Sequence, residues 1–367
     1  MVFISETRHW AVSEKLMIQV DGSVHSGSGT ILRYAVVLAT LRGEPLHMTR
    51  IRAKREKPGL RPQHVQAVRA CCSLSGGELE GAEVGSTEIF FKPGDTLKAG
   101  DFHWDIGTAG STTMLAFTLI PLALFANRPC SFSLVGGLFQ DFAPSAFHMQ
   151  RVLLPVLKSM GTEIRIEVLR PGYLPKGEGR LRVEVKPLRG ALKPLRMTDQ
   201  GTIKGIWGIS LASHLENERV SKRMADQSKR LLEKRGYRTY IEVLNDQTSL
   251  QKGAALLLWA ETETGCRLGS DQAGKPGRRS EKIAQFVATS LLEDLDTKAT
   301  TDRHLADQLI LFAALAGGTS EYFIPRVTDH IESNLWLVEK ILGVKSELSK
   351  NHLRIEGIGF LKAGKEI

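Results

Sequence analysis

The sequence lacks the long apolar run that a membrane-spanning helix requires. Such a helix needs roughly 20 consecutive apolar residues, whereas the longest apolar stretch, residues 114–126, is shorter and contains Thr118 and Pro121. This stretch therefore predicts a buried helix, and we expect no membrane partner. The N-terminus also lacks a charged segment followed by an apolar one, so we expect no signal peptide and no export.

Cysteine is scarce, since the 367 residues contain only four. Cys71 and Cys72 are adjacent, and none of the four shows the paired spacing of a zinc site. A disulfide framework and a structural zinc ion are therefore not indicated. We expect reduced thiols in a cytoplasmic protein.

Acidic residues are fewer than basic ones, with 40 aspartates and glutamates against 49 lysines and arginines and a net charge of +9. This balance favours a polyanionic partner, although many basic proteins bind no nucleic acid. Six of the cations lie within the twelve residues 50–61, directly before a predicted helix. This segment indicates either a solvated loop or a phosphate contact.

One pattern of helices and strands occurs three times along the chain. In each copy a polar or glycine-rich turn opens an apolar helix, a strand follows, and then come an amphipathic helix and two further strands. The first helices are predicted at 31–41, 113–125 and 309–315, the strands after them at 46–51, 130–135 and 321–327, and the second helices at 63–75, 145–160 and 331–342. This order predicts an α+β fold made of three similar units, with the helices on one side of each sheet.

The middle of the chain has a different character from the three copies. Strands are predicted at 201–211, 237–244 and 254–262, a charged helix at 215–235, and a glycine-rich boundary loop at 268–279. A helix at 280–296 would return the chain to the main body, and 361–367 would form a frayed tail. The predicted domains are residues 1–186 with the first two units, 187–279 as an inserted α+β domain, and 280–367 with the third unit and the tail.

The turns that open these helices form the candidate site, because like units around one axis would bring them to the same end. They are residues 25–30, 55–63, 107–112, 138–144, 304–308 and 329–334. Helix openings present free N–H groups and the positive end of the helix dipole, which suits phosphates. Asp307 and His330 lie at two such openings, where they could serve as an orienting acid and a nucleophile. A structural or solvated histidine is the alternative interpretation.

These segments resemble the RNA 3′-terminal phosphate cyclases. The resemblance rests on the order of short motifs at residues 29–33, 51–53, 58–64, 107–113, 143–144, 172–177 and 305–309, together with His330 and Asn334. It implies three βαβαββ units, like the C-terminal domain of initiation factor 3, around a pseudo-threefold axis. It also implies a small α+β domain inserted before the third unit.

The resemblance implies an ATP-dependent conversion of an RNA 3′-phosphate into a 2′,3′-cyclic phosphate. His330 would carry AMP after attack on the α-phosphate, and Asp307 would orient or activate it. AMP would pass to the RNA 3′-phosphate, from which the neighbouring 2′-hydroxyl would expel it, and Mg²⁺ would bridge the triphosphate oxygens. The nucleotide would contact His304, Leu305, Ala306, Asp307, Gln308 and Phe117. Phosphates would contact Arg33, Arg52, Arg55, Arg61 and Gln63.

The sequence departs from the family pattern in three places. Ser26 replaces a glutamate that would organise a metal, and Phe117 replaces a glutamine that would pack on adenine. Leu138 and Phe139 replace a threonine and an asparagine, although Asp141 nearby could restore a polar contact.

Two alternative functions remain open. The first is a non-catalytic relative that serves as an RNA-binding or ribosome-assembly scaffold, which the missing glutamate favours and the retained His330 disfavours. The second is an enolpyruvyl transferase, a class with related units, but six such units in two domains would be expected there.

Overall fold

Four sheets of four strands each form the framework of the computed structural model, which describes residues 17–361. The strands are β1 Ile18–Asp21, β2 Leu46–Thr49, β3 Glu78–Glu80, β4 Ile89–Lys92, β5 Gly100–Asp105, β6 Cys130–Gly136, β7 Glu163–Arg170, β8 Gly179–Lys186, β9 Arg196–Met197, β10 Ile203–Ser213, β11 Thr239–Asp246, β12 Gly253–Thr262, β13 Arg267–Ala273, β14 Gly317–Phe323, β15 Lys345–Ser349 and β16 His352–Ile358. The helices are α1 Gly29–Arg42, α2 Pro62–Ser75, α3 Thr112–Leu124, α4 Ala146–His148, α5 Leu154–Ser159, α6 Val220–Glu233, α7 Ser280–Asp296, α8 Leu305–Leu315 and α9 Asp329–Leu342. The predicted α+β class is confirmed.

Three of the sheets have the same strand order. The first sheet runs β1-β2-β4-β3, the second β5-β6-β8-β7 and the third β9-β14-β16-β15. In each of them the first two strands are parallel and the other neighbours are antiparallel. The fourth, which we call the inserted sheet, runs β11-β10-β12-β13, and its three later strands in that order pair antiparallel.

The helices α1, α3 and α8 are buried along nearly their whole length. A helix that is apolar on every side is stable only inside a core, and these three meet through their aromatic rings. The ring of Phe117 in α3 lies 6.3 Å from that of Tyr34 in α1 and 6.0 Å from that of Phe312 in α8, measured between centroids. The three helices therefore share one core.

Several predicted segments of the chain have different bounds in the structure, and two of these differences have a clear local cause. The strand predicted at 321–327 is β14, Gly317–Phe323, because Gly317 pairs with Ile358 and because Pro325, just beyond its end, has no N–H for a sheet. The helix predicted at 145–160 is split into α4 and α5 by a π-helical turn, Met149–Leu153. Pro155 cannot donate to the Arg151 carbonyl, which accepts a hydrogen bond from the Arg267 side chain instead (2.8 Å).

Two predictions about the middle of the chain were wrong. The boundary loop predicted at 268–279 contains β13, which pairs with β12 and buries Leu268. The helix predicted at 280–296 has the right bounds, but it does not return to the main body. Its residues Ile283, Val287 and Leu291 pack in a second core with apolar residues of the inserted sheet.

The limits of the predicted domains remain a prediction, and β9, which falls inside the predicted insertion, pairs with the third sheet. Residues 362–367 of the predicted tail lie outside the described residues. Within residues 17–361, no helix is long and apolar enough to cross a membrane. The four cysteines are free thiols.

Candidate active site

A cleft of about 480 Å³ lies at the N-terminal ends of α1, α8 and α9. Of the side chains predicted for the site, it brings together Arg33, Arg52, Arg55, Gln63, Phe117, His304, Asp307, Gln308 and His330. Arg61 is exposed at the start of α2 and does not line the cleft, while Leu305 and Ala306 are fully buried in the core. Five of the six predicted turns line the cleft. The sixth, 107–112, contacts it indirectly, because the Ser111 N–H donates to Gln63 Oε1 (2.8 Å).

His330 and Asp307 face each other across two helix openings. His330 Nδ1 lies 3.4 Å from Asp307 Oδ2, and the two side chains are 45% and 18% exposed. The Asp307 carbonyl oxygen is held from both sides, since it accepts hydrogen bonds from Tyr34 Oη (2.9 Å) and Asn334 Nδ2 (3.1 Å). The Thr328 side chain caps α9 just before His330. With Nδ1 towards the carboxylate, Nε2 is the ring nitrogen left to react in the cleft.

Positive charge collects on one wall of the cleft. Arg33, Arg52 and Arg55 line the cleft, and none of them forms an ion pair with any carboxylate of residues 17–361. Burial, and then the charge of Arg52, lowers the pKa of Arg33 to about 10. The Arg52 side chain donates to the Lys57 and Gly59 carbonyls (2.9 and 2.6 Å), which closes the basic segment into a compact loop. Unpaired guanidinium groups held together in this way favour an anion such as phosphate.

His64 was not among the predicted site residues, but it is buried in the same wall. Its Nδ1 accepts the Arg61 N–H (3.2 Å), which leaves the hydrogen on Nε2. Burial and the neighbouring arginines, Arg33 first, lower the pKa of His64 well below its usual value. Gly29 leaves room for the ring, because a Cβ there would lie 2.2 Å from Nε2. His64 therefore adds a neutral hydrogen-bond donor to this wall. Its position in the sequence, directly after the basic segment and Gln63, could have indicated that it belongs to the site.

The inner wall contains one polar atom without a partner. Gln308 is 5% exposed, and its Oε1 accepts no hydrogen bond within the described part of the chain. Phe117 beside it is equally buried and packs between Tyr34 and Phe312. Gln308 therefore keeps an unused hydrogen-bond acceptor among the residues that line the cleft.

The residues do not fit a metal ion held by the protein alone. Among residues 17–361, no cluster of three or more His, Cys, Asp or Glu side chains is placed to hold one. At the position where the resemblance led us to expect a glutamate, Ser26 Oγ lies 3.0 Å from Ser28 Oγ and accepts a hydrogen bond from Ser333 Oγ (2.7 Å). Ser26 thus ties the first glycine-rich turn to α9.

The inserted sheet supplies one side of the cleft. Asp271 of β13 lines the cleft and accepts the Ser145 N–H (2.7 Å). Arg278, in the loop after β13, donates to both carboxylate oxygens of Asp141 (2.6 and 2.8 Å). The Gly269 N–H donates to the buried Asp302 just before α8 (2.8 Å). None of these contacts was predicted, since each joins residues more than a hundred positions apart or on a strand mistaken for a loop.

Comparison with a family model and with individual known proteins leads to the same family. A family model described as RNA 3′-terminal phosphate cyclase matches residues 24–348. A protein of Pyrobaculum aerophilum with that name is 36% identical over 351 residues, covering 94% of this chain and 99% of that protein. Proteins with the same name from Archaeoglobus fulgidus and Pyrococcus furiosus are each 38% identical, over 93% and 89% of this chain and 100% and 94% of their own lengths.

Proposed function

The chain belongs to the RNA 3′-terminal phosphate cyclase family, and we propose that it converts an RNA 3′-phosphate into a 2′,3′-cyclic phosphate using ATP. The observation that carries this proposal is the pairing of His330 with Asp307 at 3.4 Å in a cleft that also contains unpaired arginines. A nucleophile with its orienting carboxylate, in the same cleft as an anion-binding wall, suits transfer of a nucleotidyl group.

Three steps follow from this arrangement. First, His330 Nε2 attacks the α-phosphorus of ATP, so a P–N bond forms, the bond to the bridging oxygen breaks and pyrophosphate leaves. Next, an oxygen of the RNA 3′-phosphate attacks the same phosphorus, which breaks the P–N bond and gives an RNA-adenylate. The neighbouring 2′-hydroxyl then releases its proton to solvent and attacks the 3′-phosphorus, which closes the ring and expels AMP.

Each wall of the cleft has a role in the proposal. Asp307 holds the His330 ring by its Nδ1 and stabilises the positive charge that develops on it. Arg33, Arg52 and Arg55, with the neutral His64, bind phosphate oxygens of ATP or of the RNA end. Gln308 accepts a hydrogen bond from the nucleotide, and Arg61 adds positive charge from outside the cleft.

A divalent ion, Mg²⁺ in our proposal, would enter with the nucleotide, because triphosphate oxygens can supply most of the ligands that the protein does not offer. The cytoplasmic location expected from the cysteine content is also part of the proposal.

We further propose that the three sheets of like strand order are repeats of one βαβαββ unit around a pseudo-threefold axis. Their common pairing pattern and the meeting of α1, α3 and α8 through their aromatic rings support this arrangement. On this proposal the inserted sheet lies between the first strand of the third unit, β9, and its first helix, α8.

Intact mass spectrometry tests the proposed function. Wild-type protein incubated with ATP and Mg²⁺ should gain the mass of one AMP, and the gain should disappear when a 3′-phosphorylated RNA oligonucleotide is added. If no adduct forms under any of these conditions, the first step fails and a non-catalytic RNA-binding scaffold becomes the better explanation.

Asp307→Asn should slow formation of the adduct by about 10²- to 10⁴-fold without preventing it. The amide keeps the shape of the side chain but removes the charge that holds the imidazole and stabilises its cationic form. The measurement is the rate of transfer of labelled AMP from ATP to the protein. Glu332→Gln is a matched control, because Glu332 is an exposed acid two residues from His330 and does not line the cleft. Equal rates in the Asp307 variant and wild type would contradict the assigned role.

A further inference from the structure

Phe142 is the most exposed large apolar side chain among residues 17–361. Its relative exposure is 99%, and the next value, for Val84, is 61%. It stands at the mouth of the cleft, among the residues that line it. Single exposed apolar residues are common on protein surfaces. The exposure of Phe142 therefore indicates a binding role only if the structure holds the ring in this position.

Both sides of Phe142 are fixed to the rest of the molecule. On one side, Arg278 Nη1 and Nη2 donate to the Asp141 carboxylate, and Arg278 Nη1 also donates to the Ala273 carbonyl (2.6 Å). On the other side, the Pro144 carbonyl accepts a hydrogen bond from Thr113 Oγ1 (2.7 Å), and the next N–H binds Asp271. The loop is therefore anchored to α3 and to the inserted sheet, with Phe142 between the two anchors. An apolar ring kept in water by its own anchored loop is suited to cover a planar apolar ligand.

The position of the Phe142 ring indicates which of the two ligands of the proposed reaction, ATP or RNA, it would contact. A cavity of about 480 Å³ can enclose a mononucleotide, and the arginines and the unpartnered Gln308 Oε1 lie in its walls. An RNA chain, in contrast, must leave through the mouth, so its terminal nucleoside lies at the rim while its phosphate reaches inward. We propose that Phe142 is a stacking platform for the nucleobase at the 3′-end of the RNA. This inference rests on the proposed function and extends it to a specific contact with the substrate.

The test is equilibrium binding of a short 3′-phosphorylated RNA, and separately of ATP, to wild type and to variants of Phe142. Phe142→Ala should weaken RNA binding about tenfold, within the range of base stacking on an aromatic ring, and should leave ATP binding unchanged. Phe142→Trp should keep the affinity, whereas Phe142→Leu should lose most of it because an aliphatic side chain offers no π face. Phe286→Ala is the matched control, since Phe286 is a half-exposed phenylalanine of α7 outside the cleft.

An RNA whose 3′-terminal nucleotide lacks its base gives a second comparison. Wild type should bind it as weakly as Phe142→Ala binds the intact RNA, and the variant should not distinguish the two. Equal RNA binding by wild type and Phe142→Ala, full affinity in Phe142→Leu, or weakening confined to ATP would each overturn the inference.

The ion pair of Arg278 with Asp141 provides an independent test, because Arg278→Ala leaves the Phe142 ring intact and releases one side of its loop. It should weaken RNA binding in the same direction, and the exchanged pair Asp141→Arg with Arg278→Asp should restore part of the loss. None of these measurements needs turnover. Stacking without an AMP adduct would refute the proposed function alone, and an adduct with unchanged RNA binding would refute this inference alone.

Discussion

Alanine in place of His330 should abolish the AMP adduct completely and lower cyclisation of an RNA 3′-phosphate by about 10⁴-fold or more. The cleft offers no equivalent nucleophile, because the other two histidines that line it are differently placed. His64 accepts the Arg61 N–H at Nδ1 and carries its hydrogen on Nε2 beside Gly29, and His304 lies at the opening of α8. The measurement is intact mass after incubation with ATP, with acid treatment as a second criterion, since a P–N bond is labile in acid.

His103→Ala is the control for this experiment. His103 is an exposed histidine of β5 and does not line the cleft, so its loss should leave the adduct at the wild-type level. An acid-labile adduct that persists in His330→Ala would assign the nucleophile to another side chain. A variant that loses the adduct but also loses ATP binding would show a collapsed cleft, so ATP affinity should be measured in parallel and is expected to change little.

The parts of the site that the sequence predicted are those determined by local chemistry. Ser28 and Thr328 accept backbone N–H groups at the first turns of α1 and α9, and Gly43 and Gly343 end these helices in left-handed conformations. Such signals lie within one helix of the residues that they place, so the helix carrying Arg33 and the helix opening carrying His330 could be located. The resemblance then identified which side chains in those turns belong to one site.

The parts that the sequence did not predict depend on distant pairing. Glycines and cations in 268–279 indicated a loop, but Leu268 is buried within the second core and the segment pairs with β12. Once β13 is a strand, it brings Asp271 to the cleft and, through the loop that follows, Arg278 to Asp141. No local pattern indicates such contacts, because the partner strand decides which face of a segment is buried.

The contacts of Asp302 could not be predicted from the sequence for the same reason. Its charge is buried where three distant parts of the chain meet. Its carboxylate lies 3.2 Å from His148 Nε2 and accepts the N–H groups of Gly269, His304 and Leu305, each at 2.8 Å. Both side chains of the pair are fully buried. Burial alone would raise the pKa of Asp302, but His148 lowers it to about 2. Burial alone would lower the pKa of His148, but Asp302 outweighs this effect and raises it.

Asp302→Asn should therefore lower the free energy of unfolding by about 3–5 kcal/mol, because His148 loses its counter-charge and the Gly269 N–H loses its acceptor. Two of the four contacts survive, since the amide oxygen can still accept the N–H groups that open α8. The measurement is denaturant unfolding at neutral pH. Glu163→Gln is the control, because the pair of Glu163 with Lys186 is highly exposed and its loss should leave the midpoint unchanged. If Asp302→Asn left the unfolding midpoint unchanged as well, the buried pair would not stabilise the fold.

The pH dependence distinguishes loss of this ion pair from loss of packing. Because the pKa of His148 is raised above its ordinary value of 6.5, the folded protein binds more protons than the unfolded one between that value and the raised one. The stabilisation by protonated His148 is thus complete below about 6.5 and is lost as the pH rises through the raised pKa. Asp302 contributes above its ordinary value of 3.8, and this contribution is lost as the pH falls towards 2. Wild type should therefore lose stability from neutral to alkaline pH more steeply than Asp302→Asn, in which the raised pKa is abolished. Parallel curves for the two proteins would place the effect of the substitution in packing and leave the buried charge pair without a role.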